Sequence, residues 1–150
     1  MRSPPRDCSG ISLLFQYFNQ LEILKREFIT LEISSHLCFE WYDSLCGVPS
    51  QQRDIAMEKA SVLFNAGALS SHVGGRQDRT SAGGLEAATE HFLSAAGIFQ
   101  YILDNYSDVA SRDLDHHTLQ LLVQFLCSQA RETSFQNLEL LLEEDGDDSR

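Results

Sequence analysis

No run of apolar residues in this chain approaches the ~18 that a membrane-spanning helix needs, and none marks a secretory leader. Basic residues are scarce. Eleven Lys and Arg stand against 22 Asp and Glu in 150 residues, a net charge of −11. The densest basic spots, Lys25-Arg26 and Arg76 to Arg79, are each followed closely by acids. Nucleic acid and anionic membrane surfaces are therefore poor partners. Cysteine is sparse and scattered: Cys8, Cys38, Cys46 and Cys127 form no CxxC and no metal-ligand spacing. They read as reduced thiols of a cytosolic protein, since disulfide frameworks belong to short secreted chains.

Catalytic signatures are missing too. The loop GGRQDRTSAGG carries four glycines but no GxxxxGK[ST] pattern, and it follows no strand, so it is a connector. His116 and His117 are adjacent, which turns them about 100° apart on a helix. His72 and His91 have no carboxylate or cysteine at ligand spacing. Asp43, beside Trp41 and Tyr42, has the apolar setting that raises a carboxyl pKa, but a structural hydrogen bond is the better account. There is no Ser-His-Asp signature and no cysteine beside a base. The chain reads as a non-enzyme with no metal and no cofactor.

What is present is helical. The hydrophobic fraction of 43% over this length suits one globular domain. The organising stretch is residues 51–73, opened by Gln51-Gln52 and closed by Gly74-Gly75. Ile55, Val62, Ala66, Leu69 and Val73 form one row; Ala56, Ala60, Leu63 and Gly67 form another. A helix apolar on more than one side is a buried one. Small residues keep it thin, and Gly67 costs roughly 1 kcal/mol against Ala inside a helix, so close packing is the expected compensation.

Around it, residues 1–10 read as a disordered leader and 11–28 as an amphipathic helix with Leu14, Tyr17, Phe18, Leu21 and Leu24 inward. Residues 37–45 alternate with a period of two, the pattern of a strand, ended by Gly47-Val48-Pro49. No convincing partner strand is visible. Residues 85–106 form the next helix, with Ala88, Phe92, Ala95, Ala96 and Phe99 inward. Ala88-x3-Phe92-x2-Ala95 matches the second helix of a tetratricopeptide unit, with Phe64, Ala68 and Ser71 at the matching positions of the first. Asp113 or Asp115 caps a last helix reaching about residue 142. One of its faces carries Leu119, Leu122, Val123, Leu126 and Ala130. Nearly opposite lies a second row, Leu121, Phe135, Leu138 and Leu142. Residues 143–150 form an acidic tail.

Three blocks, FEWYDSLCGVPSQQ, MEKASVLFNAGAL and GGRQDRTSAGGLEAA, closely resemble consecutive parts of the BRO-one domain of the rhophilin family. LLFQYFNQLEILKREF, AAGIFQYI and SQARETSF are similar to its neighbouring helices, so the likeness covers about residues 11–138. The domain is shared with Alix and the HD-type tyrosine phosphatase; GVPSQQ and RQDR favour rhophilin. The resemblance implies a mainly α fold: a tetratricopeptide-like helical solenoid fragment of a BRO-one domain, residues 11–142, with one short strand remnant. It also implies a truncated isoform or gene-prediction fragment, because the family domain extends further on both sides.

For function, the resemblance implies a non-enzymatic interaction module, a rhophilin-like signalling scaffold linked to Rho GTPase and actin pathways. Rho itself is bound by a coiled coil that these residues do not include. The alternative is an endosomal-sorting adaptor that holds an amphipathic helix of an ESCRT-III subunit in a hydrophobic groove. Phe135 aligns with an aromatic lining that groove in Alix, which makes Leu121, Phe135, Leu138 and Leu142 the candidate protein-binding row. The implied location is cytoplasmic, peripheral at endosomes. A redox or metal protein built on the cysteines and histidines is the least supported class.

Overall fold

Helix α2, Ile55–Gly75, takes its start from Asp54, whose backbone is extended and whose side chain accepts the Ala56 N–H at 2.8 Å. It ends where the Arg76 N–H turns back to the carbonyls of Val73 and Gly74. The helix therefore opens later than the glutamines suggested. The reason is that Pro49–Gln52 is a strand, β2. It pairs antiparallel with β1, Phe39–Tyr42, in the register Phe39↔Gln52 to Tyr42↔Pro49. The partner missing from the sequence reading is thus the next segment, reached through Gly47 in the left-handed region (φ 64°). Proline is tolerated as the first residue of such an edge strand.

The structure is a computed structural model that describes residues 4–28, 38–42, 44, 47–106 and 111–147. The outer parts of the expected 37–45 strand, with Asp43 and Cys46, lie outside the described residues, as does most of the connector at 107–111. Besides the hairpin there are α1 (Cys8–Phe28), α3 (Ala82–Asn105) and α4 (His116–Asp147). α1 begins inside the stretch expected to be a disordered leader. Asp7 fixes its start, accepting the N–H groups of Ser9 at 2.9 Å and Gly10 at 3.2 Å. α4 likewise runs past the expected boundary at residue 142. Its cap is Asp115, which accepts from the His117 N–H at 3.0 Å, because Asp113 is committed elsewhere.

Each helix packs on the one before it, with α2 antiparallel to both α1 and α3. Glu22 meets Lys59 while Gly10 lies by Leu69, which sets α1 against α2. Phe99 lies by Gly67 while His91 lies by Gly74, which sets α3 against α2. α2 is accordingly buried on more than one side, from Met57 through Val62 and Leu63 to Val73. A Cβ on Gly67 would come within 2.9 Å of the Phe99 ring, so its lack of a side chain admits that aromatic. The tetratricopeptide spacing holds on α3, where Ala88, Phe92 and Ala95 are all buried. On α2 it holds only for Phe64, whose ring packs on Phe99 with centroids 5.3 Å apart. Ala68 faces solvent. α4 completes the core with Leu119, Leu126 and Ala130, the face expected to be inward.

Candidate functional site

Two buried charges at the start of α2 are the most conspicuous polar feature. The Glu58 carboxylate accepts from the Tyr17 hydroxyl at 2.8 Å and the Trp41 indole N–H at 2.5 Å, tying α1 and the hairpin to α2. Burial, then the Glu58 charge, push the Tyr17 phenol well above its ordinary pKa. Lys59 pairs with Glu22 and lies 5.3 Å from the Phe18 ring and 5.5 Å from that of Tyr106. Burial opposes the Lys59 charge, but Glu22 and Tyr106 outweigh it and its pKa stands above the ordinary value. Both oxygens of Glu58 are occupied by donors from its own chain. This is a joint of the fold.

The histidines divide. His116 and His117 are exposed, their rings edge to face at 5.8 Å. His91 departs from the sequence reading, which gave no cysteine a base: Cys8 Sγ lies 3.9 Å from its Nε2. The two are 83 residues apart in sequence, so no local spacing announces the pair. Among the described residues no group of three or more His, Cys, Asp or Glu is placed to hold a metal ion.

A long open apolar surface lies on α4. Leu121, Phe135, Leu138 and Leu142 are 66, 61, 55 and 63% exposed, so this row is not core within the described fold. Phe135 and Leu138 line one wall of a groove of about 730 Å³ between α3 and α4. Leu121 and Leu142 are exposed but stand outside it. Its opposite wall is Leu93, with Thr89 and Ala130 at the floor and Leu141 and Ser134 along the rim. Leu93 was missed because it flanks the inward face of α3, one residue after Phe92, and nothing local separates a groove leucine from an ordinary surface one. The LELLL run at 138–142 offered Leu141 in outline, since leucines on adjacent positions point to different faces.

A polar spine fixes the walls. The Thr89 and Thr133 hydroxyls meet at 2.7 Å, and Thr133 is fully buried and also bonds to backbone carbonyls of α4. Farther along, Arg79 reaches Glu132 at 3.6 Å, joining the approach to α3 with α4. The groove is thus a fixed, mostly apolar trough with polar edges. Its chemistry is that of a surface receiving apolar side chains.

Comparisons with known proteins agree with this architecture. The model of the BRO1-like domain matches residues 1–147. Rhophilin-1 of Homo sapiens is 47% identical over 138 residues, covering 92% of this chain and 21% of that protein. Rhophilin-2 of Homo sapiens is 42% identical over 139 residues, 93% of this chain and 20% of the relative. The chain therefore spans about a fifth of the length of the relatives it matches. Among solved structures, the complex of the Alix BRO1 domain with CHMP4C superposes with a TM-score of 0.81 at 25% identity, over 93% of this chain and 42% of that one. No helix among the described residues is long and apolar enough to cross a membrane.

Proposed function

Because the chain belongs to the BRO1-like domain family, we propose that it is a protein-interaction module whose α3–α4 groove holds an amphipathic helix of a partner. The observation that carries this is the exposed aromatic Phe135 set against Leu93 and Leu138 in a trough walled by two packed helices. An amphipathic helix presents apolar anchors at i, i+3, i+4 and i+7 to such a trough, with the aromatic as an exposed anchor on its wall. Leu121 and Leu142, outside the trough, extend the apolar strip along α4.

Two settings suit such a module. The high identity to rhophilins supports a cytoplasmic signalling scaffold linked to Rho and actin pathways. The CHMP4C-bound Alix relative supports an ESCRT-III-type helix as the occupant and a peripheral location at endosomes. Pull-down with a labelled CHMP4C tail peptide separates them: retention of the peptide supports the sorting setting, and a folded chain that does not retain it counts against that setting.

The groove itself is tested by Phe135→Asp, with Phe125→Asp as control, since Phe125 is 60% exposed on α4 but outside the trough. Circular dichroism should show both variants folded. Phe135→Asp should weaken binding of the helical peptide, read by fluorescence anisotropy, by at least about 30-fold, the scale of a 2 kcal/mol hot spot. Phe125→Asp should bind as the parent does. A folded Phe135→Asp protein with parental affinity refutes the groove; one that unfolds shows that Phe135 is core.

A further inference from the structure

The packing of α1, α2 and α3 brings three reactive groups together that the binding role does not use. Cys8 is exposed at the first position of α1. Its sulfur lies 3.9 Å from Nε2 of His91 on α3. On the other side of the ring, Nδ1 lies 3.4 Å from Oγ of Ser70 on α2, a side chain that is 1% exposed. Ser70 Oγ also sits 3.0 Å from the His91 carbonyl oxygen and donates to it. With the hydroxyl hydrogen on the carbonyl, the tautomer that suits this arrangement has Oγ accepting from Nδ1–H and Nε2 bare toward the thiol.

The approach of α2 and α3 that makes this possible rests on Gly74, where a Cβ would come within 3.0 Å of the His91 Cβ. The result is the order nucleophile, base, orienting group, each drawn from a different helix. A cysteine becomes reactive when it is accessible and has a partner that stabilises its thiolate. Asp7, the residue before Cys8, has its carboxylate turned to the Ser9 hydroxyl and the Ser9 and Gly10 N–H groups.

We propose that Cys8 is a peroxide-reactive thiol, oxidised to a sulfenic acid with His91 as the base and Ser70 as its positioning residue. The Cys8 proton passes to His91 Nε2, and the sulfur attacks one oxygen of hydrogen peroxide. The S–O bond forms as the O–O bond breaks, so sulfur is oxidised by two electrons and peroxide reduced. The departing hydroxide takes the proton back from the His91 imidazolium and leaves as water. Further oxidation and capture by a small thiol are the steps open to the sulfenic acid. The site is independent of the α3–α4 groove, so either reading can fail without the other.

The test is site-resolved mass spectrometry of the full chain, exposed to hydrogen peroxide and trapped with dimedone. Cys38, also exposed, serves as the internal reference within each molecule. Cys8 should be trapped at least about ten times faster than Cys38. His91→Gln should bring it down to the Cys38 rate, and Ser70→Ala should lower it several-fold with the circular dichroism spectrum unchanged. Equal trapping of Cys8 and Cys38 in the parent overturns the proposal, whatever the variants do. So does a folded His91→Gln protein whose Cys8 reacts at the parental rate.

Discussion

Replacing Gly67 with alanine sets two effects of known size against each other. Alanine in a helix interior gains about 1 kcal/mol over glycine. Against this, the new Cβ would stand 2.9 Å from both Cε1 and Cζ of Phe99, where carbon atoms prefer roughly 3.5–4.0 Å. The ring would have to retreat by more than half an ångström, yet it is 2% exposed and already packed on Phe64. Overpacking of a filled core costs about 1–3 kcal/mol. With a cost near the middle of that range set against the gain, the net is a loss of about 1 kcal/mol, or roughly 2–4 °C in Tm for a chain of this length. Urea and thermal unfolding followed at 222 nm read it directly. Phe99→Leu should relieve the clash, so the double variant should lie at least about 0.5 kcal/mol above the sum of the singles. A Gly67→Ala protein as stable as the parent, or strict additivity in the cycle, would refute the close-packing argument.

Trp41→Phe removes the indole donor from the buried Glu58 carboxylate. It should cost about 2 kcal/mol in the same urea assay, the scale of a hydrogen bond to a charged group; a loss within error of zero would contradict the joint described above. Stability should also fall in alkali. Tyr17, Tyr106 and Lys59 all have folded pKa values above their ordinary 10.0 or 10.5, so their contributions are intact below those values and lost as pH rises past them. The urea midpoint should hold to about pH 9.5, then decline, and Tyr17→Phe should flatten that decline; an unchanged slope would remove Tyr17 from the account.

Much of this was legible in the sequence, and the reasons differ by element. α2 announced itself because two apolar rows on one helix leave only a narrow solvent face, and the structure buries both Val62 and Leu63. The inward face of α4 and the outward row opposite it followed from helical periodicity alone. PSQQ did not read as a strand because it has no β-branched or aromatic residue; its extended form comes from pairing with FEWY. The α1 start was missed because residues 1–10 are polar and contain two prolines, while Asp7 supplies a cap. The groove was half visible: Phe135 and Leu138 share a helix, but their opposing wall, Leu93, is set by how α3 and α4 meet. The Cys8–His91 contact lies across 83 residues and was beyond any local pattern.

The hairpin has a consequence for how the molecule opens. No helix packs broadly against it among the described residues. Two carboxylates hold it instead: Glu58 takes the Trp41 indole, and Asp113 takes the Ser44 N–H and hydroxyl, each of those two at 2.7 Å. Its amide protons are then guarded by a latch of a few polar bonds, and the cost of releasing that latch is much smaller than that of melting the helices. Exchange with deuterated solvent should proceed there by detachment of the hairpin as a unit, well ahead of α2 and α3. Weakening either anchor would hasten that exchange while leaving the slowest amides of the molecule at their own pace.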